Sequence, residues 1–172
     1  MKKALIIDID STLANIDHRV HHVLRNCDCV PKGYVRTSNF CTQKCNSRKP
    51  KDWDSFFAEM KDDVPNLWCK QLIDLYSKNG YEVILVTGRP EKYKDITWDW
   101  LGKNRLAEFT TELYMRPDEE HDNDDEIKKK IYHDHIEGVY DVEFVIDDRP
   151  KVIRMWRSLG LTCLDCGDGI EF

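Results

Sequence analysis

The chain has 172 residues, 41% of them hydrophobic and 34% charged, and a net charge of −6. That balance is enough to bury a core and excludes a disordered chain, and no apolar run approaches the roughly 18 residues of a membrane span. The apolar run behind Met1 is broken by Asp8 and Asp10, so no leader is expected and the expected place is the cytoplasm, of its own cell or of an infected host.

Residues 4–9 read as a short, almost wholly apolar strand, the pattern of a parallel strand covered on both faces. The stretch at about 15–63 breaks the rhythm that follows. It carries Pro, Gly and four bunched cysteines before Trp53-Asp54-Ser55-Phe56-Phe57 opens a helix, and it reads as an insertion after the first strand. Beyond it come a helix over 65–79 closed by Gly80, a strand over 81–87 and a helix over 92–103. A strand over 112–115, a helix over 124–135, a strand over 142–146, a helix over 150–159 closed by Gly160 and a strand over 161–164 complete the chain. Strand alternating with helix predicts an α/β fold, a Rossmann-like parallel sheet with helices on both faces and right-handed crossovers. One domain is expected over 1–172, with the insertion as a cap above the carboxyl ends of the strands, where ligands of such sheets bind.

Asp8-Ile9-Asp10-Ser11-Thr12 follows directly on the first strand. Residues two apart in an extended chain project to the same side, so both carboxylates can meet one pocket. Two like charges there repel, and a divalent cation with oxygen-only ligands, Mg²⁺, is the usual remedy. Read blandly, the same residues are a strand end with an Asx turn. Thr87-Gly88-Arg89-Pro90 ends the second strand, with a hydroxyl and backbone N–H groups suited to phosphate oxygens, and Asp147-Asp148-Arg149 ends the third. Three strand ends with such groups converge on one edge. Phosphoryl transfer also needs a cation. The helix over 124–135 offers Lys128, Lys129 and Lys130, and its buried stripe at Ile127 and Ile131 turns Lys129 outward while leaving Lys128 and Lys130 tied.

The order D-x-D-x-T, T-G-R, helical Lys, D-D resembles the four motifs of the haloacid dehalogenase superfamily. The run 124–128 and the long run 146–160 are more similar still to the 3′-phosphatase half of phage polynucleotide kinase/phosphatase. That resemblance implies a phosphatase in which Asp8 attacks phosphorus and Asp10 serves as acid and base. It implies Mg²⁺ on Asp8, the Asp10 carbonyl and Asp148, with Asp147 behind them. Thr87 would bind phosphate beside Gly88, and Lys128 breaks the tie, steadied by Asp124. Thr12 closes the first motif, and Arg19 and Arg89 match positions that contact the substrate or the wall of the site. Ser11 stands where the family has Gly, and no G-x-x-x-x-G-K-[ST] occurs, so a kinase half is not expected within this sequence.

Cys27, Cys29, Cys41 and Cys45 could close a tetrahedral zinc site, with free reduced thiols an equal alternative and disulfides disfavoured by the reducing compartment. His18, His21 and His22 could replace cysteines as ligands or line the site near Arg19. Cys69, Cys163 and Cys166 read as small packed hydrophobes. From 29 to 51 there are six basic residues and no acid, which leaves the remainder at −12 out of the net −6. Those cations, with Tyr34 and Phe40 among them, suit a single-stranded nucleic acid and equally an ordinary solvated loop. The leading expectation is removal of 3′-phosphates from nucleic acid ends. The alternatives are a 5′-nucleotidase or small-ester phosphatase and, more remotely, a non-catalytic nucleic-acid-binding module. No sequence feature designates a protein partner.

Overall fold

The computed structural model describes residues 1–23 and 51–167. Cys27, Cys29, Cys41 and Cys45, with the basic run around them, lie outside the described residues.

The first strand, β1, spans Lys2–Ile7, and β2 is the two-residue Ala14–Asn15. Helix α1 (Trp53–Ala58) starts at Asp52, whose carboxylate caps it by accepting from the Ser55 amide at 3.0 Å. β3 (Val64–Pro65) pairs antiparallel with β2. Then follow α2 (Leu67–Lys78), β4 (Glu82–Pro90), α3 (Lys94–Lys103), β5 (Glu112–Arg116), α4 (Asp124–Ile131), β6 (Tyr140–Asp147), α5 (Pro150–Ser158) and β7 (Cys163–Asp165). Gly80 and Gly160 close α2 and α5 at φ values of 82° and 83°, in the left-handed region open to glycine. Most boundaries shift by one or two residues from the sequence expectation, and two differ more. β4 runs on through Thr87 to Pro90, and α4 widens into a looser turn over Tyr132–Ile136.

The main sheet has five parallel strands in the order β5-β4-β1-β6-β7. Period-two alternation divides its side chains between two cores. Leu5, Ile7, Val83, Leu85, Phe144 and Ile146 face α1, α2 and α3, whereas Ala4, Ile6, Ile84, Val86 and Val145 face α4 and α5. Burial on both faces is the physical reason these strands are unbroken runs of Val, Ile and Leu. The described flanks of the expected insertion share the first core, through Ile16, Val20, Val23, Phe56, Phe57 and Met60.

The strand order carries the functional consequence. β1 is central, β4 and β6 flank it, and Ile7 pairs with both Leu85 and Ile146. The carboxyl ends of these three strands therefore finish at the same level.

Candidate active site

Asp8 extends β1 by one residue, its amide donating to the Ile146 carbonyl at 3.0 Å. The chain then turns tightly. The Thr12 and Ala14 amides both donate to the Ile9 carbonyl, and the Ser11 amide donates to the Ala14 carbonyl at 2.9 Å. Ser11 sits at φ 68°, a conformation a residue with a Cβ rarely adopts. This is the backbone reason a glycine suits that position.

β6 delivers Asp147 and Asp148 beside Asp8, and oxygens of the three buried carboxylates lie within 4.8 Å of one another. Lys128, on α4, reaches into this group from the second core. Its ammonium donates to Asp8 Oδ1 at 2.6 Å and to Asp147 Oδ2 at 2.8 Å, and Asp124 lies one turn earlier at 3.7 Å. Lys130 is exposed and approaches Glu120, so tertiary placement separates two lysines that helical geometry left tied. Both oxygens of Asp147 are engaged by protein. Besides Lys128, Oδ2 accepts from the Trp156 indole at 3.4 Å, and Oδ1 accepts from the Arg149 amide at 3.1 Å.

Burial pushes the Asp8 carboxyl well up. The Lys128 ammonium offsets part of that, while Asp147, Asp148 and Asp124 push it further. Burial works against a charged Lys128, yet Asp147, Asp8 and Asp124 outweigh it and hold the ammonium protonated. Three carboxylates and one ammonium leave two negative charges in a buried space. One divalent cation cancels them, and an all-oxygen donor set of this kind fits Mg²⁺.

Asp10 belongs to a second cluster. Arg89 donates to Asp10 Oδ1 at 2.6 Å through Nη2, and Arg19 reaches the same oxygen at 2.5 Å. Both guanidiniums also bond Asp63, Arg19 from Nε at 2.6 Å and Arg89 from Nη2 at 2.8 Å. The result is a neutral quartet of two arginines and two aspartates. Burial raises the Asp10 proton affinity, but Arg89 and Arg19 outweigh it and hold the carboxyl well below the usual carboxylate range. Arg19 lies over the Phe56 ring at 4.1 Å, and the Trp100 indole donates to the Asp63 carbonyl at 2.7 Å.

The remaining expected residues are all present at this end. Thr87 is fully buried on β4, its hydroxyl accepting from the Arg89 amide at 3.3 Å. The pairing of β4 with β5 shifts between Val86 and Pro90, which frees Thr87-Gly88-Arg89 from regular ladder geometry. A Cβ on Gly88 would overlap the Asp124 carboxylate, itself fixed by Arg149 at 3.2 Å. Thr12 is buried and shares a 3.4 Å hydrogen bond with the Cys166 thiol. His18 and His22 meet Glu59. Asp63 is the functional residue that the sequence reading missed. It stands in the charge run Lys61-Asp62-Asp63, which looks like a solvated face, directly before the short strand β3.

Residues 41–171 match the family model described as the phosphatase domain of polynucleotide kinase PNKP. The chain belongs to that family. The match begins beyond Asp8 and Asp10, but broader likenesses take in the first strand as well. A protein of Autographa californica nuclear polyhedrosis virus, named as a bifunctional polynucleotide kinase/RNA ligase, is 34% identical over 125 residues, covering 70% of this chain and 17% of its own length. A chain in the structure of the Pnkp1/Rnl/Hen1 RNA repair complex is 27% identical with a TM-score of 0.73, over 99% of this chain and 44% of that one. This chain thus spans less than half the length of either relative. A haloacid dehalogenase-like hydrolase of Streptococcus pneumoniae shares the fold, with a TM-score of 0.64 at 14% identity over 99% of this chain and 88% of its own. The protein is a phosphatase of the haloacid dehalogenase type, and it carries an acidic cluster of Asp8, Asp147 and Asp148 at the place described above. Among the described residues no helix is long and apolar enough to cross a membrane.

Proposed function

We propose that the chain is a Mg²⁺-dependent phosphomonoesterase that removes 3′-phosphates from nucleic acid ends through an aspartyl-phosphate at Asp8. The observation that carries this reading is the position of Asp8, at the tip of the central strand between Lys128 and Asp148 and two residues before the arginine-clamped Asp10. Asp8 and Asp148, with the Asp10 carbonyl, would hold Mg²⁺, and Asp147, engaged by Lys128 and the Arg149 amide, stands behind them. The bound ion would neutralise charge on the phosphate oxygens.

An Asp8 oxygen attacks phosphorus, the bond from phosphorus to the 3′-oxygen breaks, and Asp10 gives that oxygen its proton. Water then attacks phosphorus, Asp10 takes its proton, and the bond to Asp8 breaks to release phosphate. The arginine clamp keeps Asp10 ionised before substrate arrives, which suits the second step. An incoming phosphate dianion raises the carboxyl's proton affinity, as any nearby like charge does, so Asp10 takes a proton from solvent as substrate binds and has one to give in the first step. Lys128 and Thr87 hold the phosphate, and Asp124 and Gly88 fix the geometry of Lys128 and the β4 tip.

Support for a nucleic acid end comes from the family and from the names of its longer relatives. On the same reading, residues 1–172 act as one catalytic domain, and the basic stretch within about 15–63 grips the strand next to its terminal phosphate. The deciding test compares phosphate release from a 3′-phosphorylated oligonucleotide, a 5′-phosphorylated one and free mononucleotides, with Mg²⁺ or EDTA and with Asp8→Asn as the blank. Preference for the 3′-phosphorylated end supports the proposal. Faster turnover of mononucleotides moves the chain to a nucleotidase, and oligonucleotide binding without any turnover makes it a non-catalytic module.

A further inference from the structure

A cavity of about 280 Å³ adjoins the loop that carries the nucleophile, lined by Ser11, Asn15, Ile16, Asp17, Asn66, Trp68 and Cys166. Ser11 directly follows Asp10, and Cys166 shares a hydrogen bond with Thr12 two residues further on. The Cys166 amide also donates to the Asp147 carbonyl at 3.2 Å, so the cavity adjoins both the loop after Asp10 and the end of β6 that carries Asp147 and Asp148. Among the described residues its lining has one charged side chain, the carboxylate of Asp17, and no cation. Asp17 disfavours a phosphodiester there, and the described lining suits an uncharged group. Ile16 and Trp68 supply apolar surface, while Asn15, Asn66 and Ser11 supply polar edges.

Trp68 is the unusual member. It stands in the first turn of α2, two residues after the Asn66 N-cap, with 45% of its surface exposed, and its ring meets no other aromatic among the described residues. Two other tryptophans have partners within the protein. Trp100 is buried and hydrogen-bonded, and Trp53 stacks on Phe57. An indole held half in solvent at the rim of a polar cavity presents a flat face to a ligand at little entropic cost. A base is such a ligand, and stacking on an aromatic side chain tolerates any base.

We propose that this cavity takes the nucleoside that carries the scissile phosphate, with Trp68 stacking on its base and setting the preference for nucleic acid over simple esters. The inference rests on the proposed 3′-phosphatase reading. The terminal nucleoside would enter the cavity while the rest of the strand, with its phosphates, stays outside it.

The test measures kcat/KM of the full chain on three substrates: a 3′-phosphorylated oligonucleotide, the same oligonucleotide with an abasic 3′-terminal residue, and glycerol phosphate. In Trp68→Ala the ratio of base-ended to abasic turnover falls about tenfold, within the range expected for one lost stack, and mainly through KM. Trp68→Phe restores most of the ratio. Equal losses on all three substrates, or no loss on any, overturn the proposal. Wild-type protein that hydrolyses glycerol phosphate but neither oligonucleotide overturns the 3′-phosphatase reading and this inference together. Wild-type turnover of both oligonucleotides at the same rate overturns this inference alone.

Discussion

The Lys128 ammonium lies 2.6 Å from Asp8 Oδ1, and both groups are buried although they are 120 residues apart in the chain. Lys128→Met removes the one ammonium among three carboxylates. Breaking a buried pair of this kind costs about 3–5 kcal/mol, and losing a preorganised cation at the reacting group costs about 10²–10³ in kcat. Urea unfolding and single-turnover phosphate release would show both losses. Lys130→Met serves as the control, because an exposed pair contributes less than about 1 kcal/mol.

Asp8→Asn abolishes turnover, by ~10³-fold or more, but not the fold. Burial, with Lys128 opposing and Asp147, Asp148 and Asp124 adding, raises the Asp8 carboxyl's proton affinity in the folded state. An acid whose folded pKa lies above its unfolded value loses stability as pH climbs from the unfolded value upward. In EDTA the variant should therefore match wild type near pH 4 and exceed it increasingly toward neutrality. Saturating Mg²⁺ narrows the gap by binding the folded wild type. Urea midpoints at pH 4.5 and 7.5 check the sign. A wild type more stable than the variant at neutral pH without metal would contradict it.

Asp63 acts through Arg19 and Arg89, which it joins to Asp10. Asp63→Asn leaves two buried guanidiniums sharing one carboxylate and lets Asp10 drift from its position. Small misplacements at a reacting centre cost about 10² in rate. Steady-state kinetics on glycerol phosphate should show kcat falling with KM little changed, together with an altered acidic limb of the pH profile, which a merely structural role would not move.

Ser11 occupies φ 68°. Ser11→Gly relieves a left-handed conformation that costs a residue with a Cβ about 1 kcal/mol. The urea midpoint should rise accordingly, and turnover of glycerol phosphate should persist. An unchanged or lower midpoint would mean that the Ser11 side chain contributes as much as its backbone strains.

Much of the sheet was legible because its strands are buried on both faces, and continuous Val, Ile and Leu runs such as 5–7 and 83–86 leave little else for the chain to do. Helix ends were marked by local chemistry at Gly80, Pro150 and Gly160. Asp8, Asp10, Thr87 and Asp148 could be expected at one edge because each closes a strand. The departure at Thr87-Gly88-Arg89, where β4 continues past its expected end, depends on a pairing shift with β5 that local sequence does not encode.

Sequence alone determined which chemistry the chain can perform, since carboxylates, a lysine and a hydroxyl stand where strands and one helix must carry them. Helical geometry by itself left Lys128 and Lys130 tied on one stripe, and the family resemblance favoured Lys128. The tertiary structure buries Lys128 against Asp8 and Asp147 while leaving Lys130 exposed. It also decided that Asp63 belongs to the site and that Arg19 and Arg89 clamp Asp10. Charge pairs within an aqueous segment and charge pairs buried between distant segments look identical in a one-dimensional string. They differ only in the solvent that folding removes, and removing it is what turns Asp63 from a surface charge into the partner of two arginines.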